Sequence, residues 1–400
     1  RCGTAITCDV PASTTISSRV DTDLHEFPGV AGERVHVVVA TESATSGSFG
    51  VWWRLLASDG SGVAGCNAFS ASNRDCTLPA TEAAYAVEVL DLGFDGTGTY
   101  SLLIQRLTAG QRCGTAITCD VPASTTISSR VDTDLHEFDG WAGERVHVTV
   151  VTETVTSGSF GVWWRLLAAD GTGVPGCSAF SASDRDCTLP ATYGSYAVEV
   201  LDLGFDGTGT YGLHIQRLTA PRRCGTSIPC DVGATTSISA PADTDLFQLW
   251  GFEGEVLHIA ISGNAGAFNP VWRLLAPDGT GVAGCSSFSG AARDCTLPAY
   301  GAYGIEVEDS GFNATGTYTL TWTSSVQFCV APDPGTPSGA GTSPASRVPP
   351  GPPPAARRPP DRGRGAGREA TVDAGPELIR GGRSGSAVAA SQRLAVVRAK

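Results

Sequence analysis

The 400-residue chain contains no methionine and a single lysine, Lys400. A phosphate-binding P-loop, a Schiff-base site and a kinase nucleotide site each need a lysine inside a folded domain, so all three are excluded. The missing methionine, initiator included, predicts a processed chain or a fragment from which any secretory leader has gone. Long apolar runs are missing as well. "VHVVVA" at Val35 is far below the ~20 residues that span a bilayer, so no membrane span is expected. There is no CxxC pair, GxSxG, HExxH or Cys–His signature, and the six histidines fit no zinc-ligand spacing. The expectation is a protein that is not an enzyme.

What the chain does have is a repeat. "RCGTAITCDV" opens at Arg1 and at Arg112, and "RCGTSIPCDV" at Arg223. The first two copies differ at 18 positions. The third has diverged further, so the features it keeps are the informative ones. Within a copy, short apolar alternations ("TTISSR", "DLHEF", "RVHVVVA", "VWWRLLA", "DCTL", "AYAVEVLD", "TYSLLIQRL") are separated by turn chemistry such as "SDGSG" and "DGTG". Seven or eight strands in about 100 residues is the size of a two-sheet sandwich. The predicted class is therefore all-β, with three tandem antiparallel β-sandwich domains at 1–111, 112–222 and 223–330. Alternation places Val35, Val37, Val39, Trp53, Leu55, Val87, Val89, Leu102 and Ile104 in the first core.

Residues 331–400 lack any strand pattern and are rich in Pro, Gly and Arg, which predicts a disordered C-terminal tail. This tail holds ten arginines and Lys400 against five acidic residues, leaving the body strongly acidic. An acidic body opposes nucleic acid, and a basic tail would touch polyanions without sequence preference, so no specific nucleic-acid partner is expected.

Thirteen cysteines suggest an oxidising compartment, and hence a secreted or cell-surface protein. Each copy carries four, which allow three pairings. Local pairs are the expectation, since a tandem array is simplest if every copy closes its own loops. These are Cys2 with Cys8, Cys66 with Cys76, Cys113 with Cys119, Cys177 with Cys187, Cys224 with Cys230, and Cys285 with Cys295. Cys329 is left over, near where a fourth copy would open.

The retained pattern is the cysteine pair, "DTDL", "AGERV" or "EGEVL", "WRLLA" with "DG", "DCTLPA", and "GTYxL". It resembles the bacterial pre-peptidase C-terminal domain family and its cysteine-bearing tandem relatives over about residues 1–323. The resemblance implies jelly-roll-like extracellular sandwiches and an accessory binding or spacer role without catalysis. Related modules accompany secreted peptidases, and related collagen-binding modules bind calcium.

Two groups of residues invite a ligand. Acidic side chains recur in two loops: Asp21 and Asp23 with Asp91 and Asp95, Asp132 and Asp134 with Asp202 and Asp206, Asp243 and Asp245 with Asp309. Calcium needs six to eight oxygens, which two such loops could supply, although Asp also caps turns and neither loop has EF-hand spacing. The second group comes from "FGVWWRLL". A strand sends adjacent side chains to opposite faces, so Trp53, Trp164 and Trp272 share the core register. Trp52 and Trp163 then point outward beside Arg54 and Arg165. There they would stack on a sugar or a partner's aromatic ring, or fill a contact between copies. The functional expectation is an adhesion, substrate-binding or spacer module, with an extracellular polysaccharide or a matrix or surface protein as partner. The alternatives are the accessory region of a secreted peptidase or other hydrolase, or calcium-stiffened repeats without a ligand.

Overall fold

A computed structural model describes residues 3–69, 72–79, 83–180, 183–190, 192–263, 267–288 and 291–325. The expected tail, Cys2 and Cys329 lie outside these residues. Every regular element described is a strand. The first repeat contains β1 (Thr4–Ala5), β2 (Ala12–Ile16), β3 (Thr22–Gly29), β4 (Arg34–Ser46), β5 (Val51–Leu56), β6 (Gly62–Phe69), β7 (Ser72–Thr77), β8 (Ala83–Asp91) and β9 (Thr97–Arg106). They form a five-stranded sheet, β1-β3-β8-β5-β6, facing a four-stranded sheet, β2-β9-β4-β7. All pairings are antiparallel except that of the two-residue β1, which runs parallel to β3. The same pair of sheets recurs twice, giving six sheets in three pairs.

The core is the one the alternation implies. Val35, Val37, Val39, Trp53, Leu55, Val87, Val89, Leu102 and Ile104 all belong to one buried cluster between the first two sheets. Equivalent clusters surround Trp164 and Trp272. Burial of each such side chain contributes roughly 1.5–3 kcal/mol. Strand β6 is absent from the alternation pattern because Gly62 and Gly65 interrupt it; Gly65 has φ +75° beside a register shift opposite Arg54 and Leu56. The turn after β4 is equally dependent on glycine. At Gly47, φ is +65° and an added Cβ would fall 1.9 Å from the Asp95 carbonyl oxygen.

The disulfides depart from the expectation in half their number. Cys66–Cys76, Cys177–Cys187 and Cys285–Cys295 are local, and each joins an edge strand of one sheet to an edge strand of its partner. The opening cysteines behave otherwise. Cys8 is bonded to Cys113 and Cys119 to Cys224, each across 105 residues, so Cys2–Cys8, Cys113–Cys119 and Cys224–Cys230 are not formed. Cys230 is also in a disulfide. The reason is topological. Asp9 N donates to the Ile104 carbonyl, so the segment carrying Cys8 runs beside the last strand of its own sandwich, and that strand leads directly to Cys113. Neighbours in sequence are thus separated, and the two ends of one sandwich are joined.

Candidate functional site

Consecutive repeats are packed face to face. The outer surface of the four-stranded sheet of one repeat meets the outer surface of the five-stranded sheet of the next. At the first junction Val38 and Ala40 on β4 and Leu103 on β9 cluster with Val131, Leu201 and Phe205, and Trp163 packs against them. Trp163 therefore fills a contact between copies. At the second, Val151 packs with Ala242 and Phe312. The linkers are clipped by arginine. Arg112 donates to the carbonyls of Leu107 (2.6 Å), Ala168 (2.5 Å) and Ser195 (3.0 Å), and Arg223 repeats this with Leu218, Ala276 and Ala302.

Each junction is centred on one ionic contact. Arg165 sits beside Trp163 on the strand equivalent to β5 (Val162–Leu167). Its guanidinium makes two bonds to Asp75 on β7 (2.6 and 2.8 Å) and one to Glu199 of its own repeat. Asp75 also accepts from His36 Nδ1 at 2.7 Å. Arg273 does the same with Asp186 (both bonds 2.7 Å), Glu306 and His147. Burial raises the carboxyls of Asp75 and Asp186, but bonds to the imidazole and guanidinium outweigh it and hold both below the usual carboxylate range. His36 and His147, on the strand face away from the core, are buried by this docking. Among the described residues no repeat follows His258, and its contact with Asp294 (2.6 Å) is half-exposed.

In the first repeat the corresponding docking face is exposed among the described residues. Val20 is 84% exposed where Val131 is 0%, and Phe94 is 55% exposed where Phe205 is 8%. Arg54 keeps its own-repeat partner Glu88 and lies over the Trp52 ring, centroid distance 5.8 Å, with its side chain 45% exposed.

The acidic loops mainly serve the backbone. The Asp21, Asp132 and Asp243 carboxylates accept from the amide and hydroxyl of Ser17, Ser128 and Ser239. Asp91 accepts from the amides of Gly50, Asp95 and Gly96, and Asp202 and Asp309 hold the equivalent turns; the side chains of Asp95 and Asp206 take no part in these bonds. Asp23, Asp134 and Asp245 each accept from a buried tyrosine hydroxyl, Tyr100, Tyr211 or Tyr318. His25 and His136 extend this chain, bonding the first two tyrosines at 2.6 and 2.7 Å; Phe247 replaces them in the third repeat, as suits a packing position.

Sequence reading did not show that two of these aspartates face a carboxylate from the preceding repeat. Burial, then Asp134 and Asp132, pushes Asp9 up to about 7. Burial, opposed by Gln216 and reinforced by Asp243, pushes Asp120 up to about 6. Nor could the sequence reveal a cluster at the second junction. Among the described residues only His147, Asp184 and Glu308 bring three potential ligand atoms within 4.8 Å of one another. Beside them His214 is buried, with neither ring nitrogen hydrogen-bonded.

No protein-family model matches the chain, and no curated protein sequence does. Solved structures give partial likenesses. The pre-peptidase C-terminal domain of a Bacillus anthracis collagenase is 19% identical, with 27% of this chain and all of that one covered, at a TM-score of 0.21. Aeromonas hydrophila PliG, a periplasmic inhibitor of g-type lysozyme, is 18% identical over 25% of this chain and 96% of its own, also at 0.21. The tandem CBM51 modules of a Streptococcus pneumoniae family 98 glycoside hydrolase are 9% identical over 50% and 83%, at 0.17.

Proposed function

We propose that the chain is a non-catalytic extracellular adhesion module that holds its sandwiches in fixed register and engages a further sandwich surface through the uncovered face of its first repeat. The observation that carries this reading is the reuse of one surface. Trp163, Arg165, Val131 and Phe205 dock on the preceding repeat, while Arg54, Val20 and Phe94 present the same chemistry to solvent, with the half-buried Trp52 ring under Arg54. The internal junctions supply the pattern for what such a face would recognise: an aspartate oriented by a histidine on an open sheet. His258 and Asp294 offer it on the third repeat, so a second copy of this chain is the occupant this reading commits to. Five disulfides support an oxidising, extracellular setting. The groove of about 340 Å³ beside Cys8–Cys113 has Arg106 as its only ionisable lining side chain, which suits binding rather than acid–base chemistry.

Sedimentation of the full chain over a concentration series tests this. Head-to-tail association is expected, weakened at least tenfold by Arg54→Ala or by Asp294→Asn, with thermal midpoints unchanged. A strict monomer at all concentrations, or association indifferent to both substitutions, would sink the reading.

A further inference from the structure

The two junctions differ at a few positions, and two of the differences converge on one imidazole. His147 lies on the strand equivalent to β4 (Arg145–Ser157) and is 1% exposed. Its Nδ1 is fixed by Asp186 Oδ1 at 2.8 Å. Its Nε2 has no hydrogen-bond partner, and Glu308 Oε2 stands 3.4 Å from it and Asp184 Oδ2 3.8 Å. Glu308 Oε2 is likewise buried without a hydrogen-bond partner. At the first junction the corresponding positions are Asn73 and Leu201, and Leu201 belongs to an apolar cluster.

Charge makes the same point. Around His36 the carboxylates of Asp75 and Glu199 are matched by the guanidinium groups of Arg165 and Arg34. Around His147 the equivalent four groups recur, and Asp184 and Glu308 are added to them. Among the described residues no arginine pairs with either addition. Two carboxylates that no arginine answers therefore face one buried imidazole nitrogen.

We propose that the second junction binds a divalent cation of the zinc class through His147 Nε2 and the carboxylates of Asp184 and Glu308, with a fourth position open to water. An ion about 2.1 Å from each ligand in tetrahedral coordination holds the ligand atoms about 3.4 Å apart; Glu308 and Asp184 stand 3.4 and 3.8 Å from Nε2, and all three atoms lie within 4.8 Å of one another. The Asp186–His147 bond is the outer support such a site uses: it keeps the proton on Nδ1 and turns Nε2 toward the ion. An imidazole with two carboxylates suits zinc-class ions rather than calcium, which takes six or more oxygens. The Asp184 side chain is 40% exposed and gives the ion a path from solvent.

The test is titration of the chelator-treated full chain with Zn²⁺ by calorimetry and with Co²⁺ by visible absorption. One equivalent is expected. The double variant Asp184→Asn, Glu308→Leu carries the residues of the first junction and should weaken binding at least tenfold. A crystal of the unaltered chain soaked in Zn²⁺ provides a reading that needs no variant, with anomalous density expected beside His147 Nε2. No binding by the unaltered chain, undiminished binding by the double variant, or anomalous density only elsewhere would overturn the proposal. In the first case His147 is simply an imidazolium among carboxylates.

Discussion

Replacing Trp53 by alanine removes a fully buried indole, and such truncations cost roughly 3–5 kcal/mol because the cavity left behind collapses only in part. Trp52→Ala, one residue away on the outer face, should cost under about 1 kcal/mol, since it empties no core. Chemical denaturation of the two variants checks the contrast, and comparable losses would mean that Trp52 also supports the sandwich. The same pairing of positions separates Arg165 from Arg54. Arg165→Ala strands Glu199, which has a fully buried side chain, together with Asp75, and should cost about 3 kcal/mol. Arg54→Ala leaves Glu88 in reach of water and should change stability by less than about 1 kcal/mol. The inward or outward direction of each of these residues was legible from strand alternation alone. Their different partners were not, because Trp52 and Trp163 have the same local sequence, and only the presence of a preceding sandwich distinguishes them.

Among the strands and crosslinks, legibility followed side-chain period. Strands β3, β4, β5, β8 and β9 alternate clearly enough to be placed within a few residues. Strand β6 was missed because Gly62 and Gly65 remove the pattern, and β1 because two residues hold none. The bridges of the Cys66–Cys76 type were anticipated because each copy was expected to close its own loops. Cys8–Cys113 was not, because contact there depends on how the last strand returns beside the first segment. Its closed loop of about 100 residues restricts the unfolded chain by up to about 4.7 kcal/mol, against roughly 3 kcal/mol for a loop the size of Cys66–Cys76. Cys8→Ser with Cys113→Ser should therefore lower the denaturation midpoint of the first repeat more than Cys66→Ser with Cys76→Ser. The reverse order would place the main constraint at the sheet edge.

For the whole array, stability should depend on pH through the carboxyls at the junctions. Burial and neighbouring aspartates push Asp9 up to about 7, and Asp245 is likewise at about 7. Burial lifts Asp120 and Asp134 to about 6. An acid raised in the folded state binds its proton more tightly there than when unfolded. The stability it gives is thus complete below about pH 4 and is lost as pH rises through 6 to 7. Asp75 and Asp186 are depressed, so their contribution fails only when pH falls below about 4. These carboxyls therefore favour the fold more at pH 5 than at pH 8, against His136 and His214, which burial lowers to about 4 and which act in the opposite sense. Asp9→Asn with Asp120→Asn should remove part of the carboxyl contribution and shift the thermal midpoint at pH 8 relative to pH 5 upward. An unchanged difference between the two midpoints would show that these carboxyls keep ordinary affinity for protons. None of this could be read along the chain, because each cluster draws its members from two repeats.

The bonds from Cys8 to Cys113 and from Cys119 to Cys224 enclose nearly all of the first two repeats. A protease that nicks any peptide between residues 9 and 112, or between 120 and 223, leaves both pieces tethered. Between those two rings, only the short connector at 114–118 exposes bonds whose single cleavage parts the chain. In protease-rich surroundings each of these two rings would survive a single internal cut with its pieces joined until a reductant arrived.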